Sequence, residues 1–188
     1  MKVLELFSGT HSVGKICKEK KYDVVSLDLI NADININILE WDYTSYDSGY
    51  FDIIWSSPPC IEYSSCLTKR PRRLEYADSI VLKTLEIISY FKPTYWYLEN
   101  PYTGLLKKRE IMKGYPYFVI DYCKYGYNYR KRTIIFSNNT NYTPKPLCKQ
   151  DCISCINGKH IGHFGTGSAT CSLNQKYSIP PEFLMDIL

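Results

Sequence analysis

The sequence contains no long hydrophobic run. No apolar stretch approaches the roughly 20 residues of a membrane-spanning helix, and residues 1 to 6 do not lead into the apolar stretch of a signal peptide. Internal repeats and long low-complexity tracts are also missing. A composition of 45% hydrophobic and 22% charged residues over 188 positions excludes disorder, collagen and coiled coil. We therefore expect one soluble, intracellular domain with its own core and no membrane partner.

Histidine is scarce, with three residues, whereas cysteine is not, with eight. In a short secreted chain, that many cysteines would indicate a disulfide framework. In a chain of this length without a signal peptide, thiols are more often reduced, bound to metal or catalytic. The positions of the cysteines therefore have to decide between these uses.

The net charge of +4 is unevenly distributed along the chain. Residues 61 to 132 carry 14 basic and 7 acidic side chains, whereas residues 1 to 60 carry 5 basic and 9 acidic ones. The basic side chains cluster at residues 69 to 73, 107 to 109 and 130 to 132. A polyanion such as nucleic acid is a natural partner for this basic region, and a solvated basic surface is the alternative.

Apolar runs and helical patterns alternate along the first two thirds of the chain. Apolar runs that end in polar residues predict strands at residues 3 to 7, 22 to 28, 51 to 55 and 95 to 98. Helical spacing predicts a helix after the first strand and a second helix whose buried face consists of Ile80, Leu82, Leu85, Ile87 and Ile88. Two late strands, at residues 118 to 122 and 133 to 136, flank a basic turn and are predicted to pair as a hairpin.

This order of elements predicts an open α/β sheet that binds its ligands at the carboxyl ends of the strands. The predicted catalytic core covers residues 1 to 136. Residues 137 to 176 hold four of the eight cysteines and form a short insert, which is too small to fold without a staple. Residues 177 to 188 are predicted to return to the core as a short helix.

The first predicted strand leads into a turn of mostly small residues, Phe7, Ser8, Gly9 and Thr10. Small residues at a helix N-terminus allow the backbone to approach a ligand closely. Asp28 closes the next strand, at the roughly 20-residue spacing that places an acid on ribose hydroxyls in dinucleotide-type folds. Taken alone, the turn is also typical of a plain strand-to-helix connection, and Asp28 of a surface acid.

The loop after the third strand contains two prolines followed by Cys60. The prolines rigidify this loop, so we expect the thiol to be aimed outward rather than packed in the core. Glu99 follows another strand, and Arg130 and Arg132 lie in the basic turn. A thiol, a carboxylate and guanidinium groups at one edge of a sheet suit nucleophilic attack on an electron-poor ring or carbonyl.

In order, five motifs resemble those of the DNA cytosine-5 methyltransferase family. Residues 7 to 10 resemble the family's first S-adenosylmethionine motif, and residues 58 to 60 resemble its Pro-Cys nucleophile loop. Residues 99 to 101 stand where the family has Glu-Asn-Val, and residues 128 to 132 where it has Gln-x-Arg-x-Arg. Residues 177 to 181 resemble the end of the last, cofactor-contacting motif. The resemblance therefore covers most of the chain.

The resemblance implies a Rossmann-like, S-adenosylmethionine-dependent methyltransferase that modifies carbon 5 of a flipped-out cytosine in double-stranded DNA. Cys60 would be the nucleophile, and Glu99 would bind the ring nitrogen N3 and the exocyclic amine. Arg132 and Arg130 would hold the base carbonyl and a neighbouring phosphate. The implied cofactor-binding residues are Phe7, Ser8, Gly9, Thr10, Asp28, Leu29, Asn37, Ile38, Ser57 and Pro58.

The chain departs from the family pattern at several positions. His11 replaces a usual glycine, Asn37 stands near a usual acid, Pro101 replaces valine and Asn128 replaces glutamine. The region between the arginine motif and the last motif, where the family carries its target-recognition residues, comprises only residues 137 to 176. Such short forms occur in bacteriophages and large DNA viruses. The resemblance therefore implies a viral or phage enzyme that acts in the cytoplasm or the host cell nucleus.

The insert is dense in metal-ligand residues. We predict a structural zinc ion bound by Cys148, Cys152, Cys155 and His160, with His163 or Cys171 as alternative fourth ligands. Unligated thiols are the competing interpretation. The nearby Lys145, Lys149 and Lys159 suit a small DNA-contacting insert. The three remaining cysteines are predicted to be packing residues, namely Cys17, Cys66 and Cys123.

Three other functions are compatible with the same residues. An RNA cytosine methyltransferase would use the same Cys60 and Glu99. A nucleic-acid-binding relic without activity would keep the basic region and lose the cofactor, and the changes at His11 and Asn37 favour this alternative. A zinc module centred on the insert would function without Cys60.

Overall fold

The computed structural model of the chain describes residues 1–162 and 172–188. Its main element is a sheet of seven strands in the order β3-β2-β1-β4-β5-β7-β6. The strands are β1 (Lys2–Leu6), β2 (Asp23–Asp28), β3 (Ile34–Asn35), β4 (Ile53–Ser56), β5 (Tyr95–Pro101), β6 (Tyr117–Asp121) and β7 (Arg132–Ser137). Strands β1 to β5 pair in parallel, whereas β7 runs antiparallel between β5 and β6. This arrangement confirms the predicted α/β class and the predicted late hairpin.

Helices cover both faces of the sheet because alternate residues of each strand point to opposite faces. One face packs against α1 (Ser12–Glu19) and the C-terminal helix α4 (Pro181–Ile187). A short helix, α3 (Leu173–Tyr177), precedes α4 in the chain. The other face packs against α2 (Leu74–Phe91). None of the helices in the described residues is long and apolar enough to cross a membrane.

Two details of the predicted elements are corrected by the structure. Strand β5 continues to Pro101, so Glu99 and Asn100 lie within the strand rather than after it. Leu82 is half exposed, whereas the buried face of α2 includes Ala77 and Val81. Helix α2 ends at Phe91 because Lys92 adopts a left-handed conformation and Pro93 follows.

The chain leaves β7 at the edge of the sheet opposite the carboxyl ends of the parallel strands, since Ser137 pairs with Tyr97 near the start of β5. Residues 138 to 147 then lead back along the α4 face, where the Tyr142 ring packs against Phe118 and Phe183. The following residues form a small hairpin of β8 (Cys155–Ile156) and β9 (Lys159–His160).

Candidate active site

Cys60 lies half-buried in the loop that connects β4 to α2. Before the cysteine, the Pro58 carbonyl accepts a hydrogen bond from the Asn100 side-chain amide at 3.2 Å. After it, the Tyr63 carbonyl accepts from the Leu105 N–H at 2.9 Å. The loop is therefore held on both sides of Cys60 by β5 and the segment after β5, which places the thiol at the carboxyl edge of the sheet.

The Tyr63 side chain anchors this loop to α2. It is fully buried, and its hydroxyl donates to the Asp78 carboxylate at 2.8 Å. The same carboxylate accepts from Arg109 Nε at 3.0 Å. Burial raises the pKa of Tyr63 well above its usual value, so the hydroxyl remains a hydrogen-bond donor across the physiological range.

The buried Glu62 binds two arginines of the basic cluster at residues 69 to 73. Its carboxylate accepts from Arg70 at 2.7 Å and lies 3.2 Å from Arg73. The hydrogen bond from Arg70 is the main reason that the pKa of Glu62 falls to about 2. Two of the cluster's cations therefore hold the loop and are partly neutralised.

Glu99 is buried at the same edge of the sheet as Cys60. Its carboxylate accepts a hydrogen bond from the Tyr122 hydroxyl at 3.2 Å and lies 3.5 Å from the Lys131 ammonium group. That ammonium group also lies 4.8 Å from the centre of the Tyr122 ring. These contacts orient the carboxylate and give it a neighbouring cation.

The electrostatic surroundings of Cys60 connect it to this pair. Burial is the main cause that raises the pKa of the Cys60 thiol, and the negative charge of Glu99 raises it further. The positive charge of Lys131 acts in the opposite direction. The thiol, the carboxylate and the ammonium group therefore belong to one site.

The family resemblance predicts that Arg132 holds the target base together with Glu99, but the two residues lie on opposite faces of the sheet. The Arg132 guanidinium binds the buried Asp121 carboxylate through hydrogen bonds of 2.9 and 2.7 Å. Arg132 is paired with Asp121 across the sheet, whereas Glu99 is paired with Ile135. Paired residues of neighbouring strands point to the same face, so Glu99 shares its face with Ile135. Residues 132 and 135 are three positions apart on β7 and point to opposite faces, so Arg132 and Glu99 do so as well.

Lys131, rather than Arg132, is the cation that lies beside Glu99. Arg130, the other predicted arginine, is exposed. Sequence reasoning missed both Lys131 and Tyr122, because Lys131 stands at a variable position of the arginine motif and Tyr122 lies outside the motifs. The only signal for Lys131 is its place between two arginines in the basic turn.

The turn after β1 has an unusual backbone. Phe7, Gly9 and His11 all have positive φ angles, of 59°, 44° and 54°. The Asp28 carboxylate accepts from the Gly9 N–H at 2.9 Å and from the Leu29 N–H at 2.7 Å. The structure thus brings the predicted turn and the predicted acid together at the ends of neighbouring strands.

Glu5 is a second residue of this region that sequence reasoning missed. It is buried on β1, and its carboxylate accepts from the N–H groups of Val13 and Gly14 at 3.1 and 3.0 Å. Burial raises the pKa of Glu5 from 4.5 to about 7 in spite of these hydrogen bonds. A Cβ atom on residue 14 would lie 2.8 Å from the carboxylate, so this contact requires glycine. The sequence signal for Glu5 was an acidic residue within an otherwise apolar strand.

Two buried hydroxyls near the turn find no hydrogen-bond partner among the described residues, those of Ser8 and Ser56. They lie at the carboxyl ends of the adjacent strands β1 and β4. Beyond Asp28, the apolar side chains of Leu29 and Ile30 are 66% and 69% exposed. Polar groups without partners beside an uncovered apolar surface fit a ligand that has both a polar and an apolar part.

The other predicted cofactor residues lie near this turn in supporting roles. Asn37 accepts from the Leu39 N–H at 3.1 Å and so caps a short 3₁₀ helix. Ile38 is buried in the core. The Ser57 hydroxyl accepts from the Trp55 indole at 3.1 Å. The side chains of Asn37 and Ser57 therefore each have a hydrogen-bond partner within the protein.

Three of the four predicted metal ligands meet in a buried cluster, and Cys123 replaces the fourth. The ligand atoms of Cys123, Cys148, Cys152 and His160 all lie within 4.8 Å of one another. Cys155 packs against this cluster but is not one of the four. Cys123, which was predicted to be a packing residue, lies 25 positions before Cys148 in the sequence. The alternative ligands His163 and Cys171 lie outside the described residues.

Solved structures of other proteins share this fold. The chain matches the methyltransferase EhMeth of Entamoeba histolytica with a TM-score of 0.57 and 16% identity, over 73% of the chain and 52% of that structure. It matches the S. pombe Dnmt2 methyltransferase with a TM-score of 0.53 and 12% identity, over 77% of the chain and 52% of that structure. The chain thus spans about half the length of these structures. The fold is that of the Rossmann-like, S-adenosylmethionine-dependent methyltransferases.

No family profile matches the chain. A relative from Frog virus 3 (isolate Goorha), named "Probable DNA (cytosine-5)-methyltransferase", is 32% identical over 213 aligned residues. The alignment covers 100% of this chain and 99% of the relative. The chain belongs to the DNA (cytosine-5)-methyltransferase family, as the order of its motifs implied.

Proposed function

We propose that this enzyme transfers a methyl group from S-adenosylmethionine to carbon 5 of cytosine in DNA through a covalent adduct with Cys60. The observation that carries the proposal is that the Cys60 loop is held against β5, by the hydrogen bond from the Asn100 amide to the Pro58 carbonyl, beside the buried Glu99 and Lys131 pair. A nucleophile and an oriented carboxylate from two different strands are able to approach one base from two sides.

The chemistry requires that carbon 5 of the ring first becomes nucleophilic. The Cys60 thiolate adds to carbon 6, and the electron pair of the double bond moves to carbon 5. After methyl transfer, carbon 5 loses its proton to a base, the double bond forms again and the bond between sulfur and carbon 6 breaks. Burial and the negative charge of Glu99 raise the pKa of the Cys60 thiol, and the positive charge of Lys131 opposes this rise and so favours the thiolate.

Glu99 acts on the opposite side of the ring. Its carboxylate accepts hydrogen bonds from the exocyclic amine and from the protonated N3, which favours the ring form that Cys60 attacks. The hydroxyl of Tyr122 and the ammonium group of Lys131 keep this carboxylate oriented before substrate binds. In our proposal Lys131 also provides the positive charge that the resemblance assigned to Arg132, while Arg132 positions β7 through Asp121.

S-adenosylmethionine supplies an electrophilic methyl group when it is bound. The turn of residues 7 to 10 would surround it, and the Ser8 hydroxyl, which has no partner in the described part of the chain, would be one polar contact. The Asp28 carboxylate would bind the ribose hydroxyls, and the exposed Leu29 and Ile30 would pack against the adenine. The pocket would be shaped further by Asn37, Ile38, Ser57 and Pro58.

Duplex DNA is the proposed substrate, and its cytosine must leave the base stack at a cost of a few kcal/mol. Phosphate contacts would offset this cost. Since Arg70 and Arg73 already bind Glu62, we assign the phosphate contacts to other exposed cations of the basic region. These are Lys69, Lys108 and Arg130.

The proposal is tested with duplex DNA that contains 5-fluorocytosine, together with S-adenosylmethionine. Fluorine at carbon 5 cannot leave as a proton does, so the wild-type protein should remain covalently attached to the DNA. Cys60→Ser should form no adduct, whereas Cys66→Ser, a change at an exposed cysteine nearby, should form it normally. An adduct with Cys60→Ser would contradict the mechanism. Methylation of a tRNA oligonucleotide but not of duplex DNA would identify an RNA methyltransferase instead.

A further inference from the structure

We propose that Cys123, Cys148, Cys152 and His160 form a structural zinc site. In tetrahedral coordination, bond lengths of about 2.3 Å to sulfur and 2.0 to 2.1 Å to nitrogen put a sulfur and a nitrogen ligand about 3.6 Å apart. The Cys148 sulfur and the His160 Nε2 atom are 3.5 Å apart. All four ligand atoms lie within 4.8 Å of one another, so only small movements are needed to close the site.

The ligand set selects the metal and its role. Three thiolates and one imidazole in tetrahedral arrangement are typical of zinc, and four protein ligands leave no open position for a reacting molecule. The cysteines at positions 123, 148 and 152 are at most 9% exposed, which protects the site from solvent. The site is therefore structural and distinct from the active site at Cys60.

The insert has little else to hold it together. Among the described residues, the buried cluster that the insert forms with Cys123 consists of cysteines alone, with Cys155 packed at the side. The larger apolar side chains of the insert are turned outward, since Ile153 is 94% exposed and Ile156 is 59% exposed. The hairpin of β8 and β9 has only two residues in each strand. A segment that buries thiols instead of aliphatic side chains gains its stability from a metal ion.

The proposed ion would also connect the insert to the hairpin of β6 and β7. Cys123 directly follows Tyr122, whose hydroxyl binds Glu99. On the insert side, the Cys148 N–H donates to the Asp121 carboxylate at 3.0 Å. Zinc would therefore hold residues 148 to 160 beside the carboxyl edge of the sheet, where the exposed Lys149 and Lys159 are available for DNA if the proposed function is correct.

The test uses the full chain and measures metal directly, so its outcome does not depend on methyltransferase activity. Protein purified without added metal should contain about one zinc ion per chain. After exchange with Co²⁺, the protein should show the visible absorption of a tetrahedral site and the charge-transfer band of thiolate ligands. Absence of near-stoichiometric zinc together with an octahedral Co²⁺ spectrum would overturn the proposal.

Variants identify the four ligands. Cys123→Ser should lose most of the bound metal, whereas Cys155→Ser should bind one ion with an unchanged Co²⁺ spectrum. His160→Cys should keep the ion and increase the thiolate charge-transfer band by about one third, because four thiolates replace three. This variant keeps the test decisive if Cys123→Ser does not fold. Loss of metal in Cys155→Ser, or an unchanged band in His160→Cys, would show that the ligand set is different.

Discussion

Replacing Lys131 with methionine removes the cation that lies 3.5 Å from the Glu99 carboxylate while preserving most of the volume of the side chain. Both side chains are only 9% exposed, so little solvent screens their interaction. With an effective dielectric constant of about 20, two unit charges at this separation attract each other by about 5 kcal/mol. The variant leaves a buried carboxylate whose remaining described hydrogen bond comes from the Tyr122 hydroxyl.

Breaking a buried ion pair by removing one partner usually costs about 3 to 5 kcal/mol. Because the Tyr122 hydroxyl still donates to Glu99, we expect Lys131→Met to lower the free energy of unfolding by about 3 kcal/mol. The double variant Lys131→Met with Glu99→Gln has no unpaired buried charge, so it should recover more than half of this loss.

The assay is urea unfolding followed by tryptophan fluorescence, with Arg130→Met as the matched control. Arg130 is adjacent in sequence but exposed, so its replacement should change the free energy of unfolding by less than about 0.5 kcal/mol. If Lys131→Met is as stable as Arg130→Met, or if the double variant is less stable than both single variants, the assignment of Lys131 as the partner of Glu99 is refuted.

Asp28→Ala should weaken the binding of S-adenosylmethionine by about 1.5 to 3 kcal/mol in calorimetry, whereas Asp23→Ala, at the other end of the same strand, should have no effect. Since the pKa of Glu5 is raised from 4.5 to about 7, its protonation stabilises the fold below pH 4.5, and this contribution is lost as the pH rises through about 7. Urea unfolding should show this loss, about 3 kcal/mol, in the wild type, and an undiminished pH dependence in Glu5→Gln would contradict it. Because the charge of Glu99 raises the pKa of the Cys60 thiol, Glu99→Gln should speed the alkylation of Cys60 by iodoacetamide near neutral pH and yet abolish most methylation. Slower alkylation, measured by mass spectrometry, would count against that coupling.

The sequence was sufficient to predict the order of the elements and the meeting of Cys60 with Glu99 at one edge of the sheet. Both predictions depend on local patterns, namely apolar runs followed by polar residues, and on the rule that parallel strands present their carboxyl ends on one side. These patterns were not sufficient to predict that Lys131, rather than Arg132, lies beside Glu99. That position depends on which face each side chain takes, and a shift of one residue in the pairing of β7 exchanges the faces.

The metal cluster shows a similar limit. Spacing within the insert was sufficient to predict that Cys148, Cys152 and His160 come together, because they are close in sequence. Cys123 lies in the short 3₁₀ helix that follows β6, and the return of residues 138 to 147 along the sheet brings the insert to it. The solvent-facing position of Leu82 was missed for a related reason, since α2 is apolar on more than the one face that packs against the sheet.

The path of the chain after β7 makes residues 148 to 162 of the insert an exchangeable segment. The Cys148 N–H donates to the Asp121 carboxylate and the Gly162 N–H donates to the Asn128 carbonyl at 2.8 Å, so both ends of this segment attach to the hairpin of β6 and β7. Segments whose ends lie close together can be lengthened or replaced without disturbing the domain that carries them. If the insert contacts DNA as we propose, this segment can therefore vary, in evolution or by grafting, while the sheet and the Cys60 loop keep their sequence.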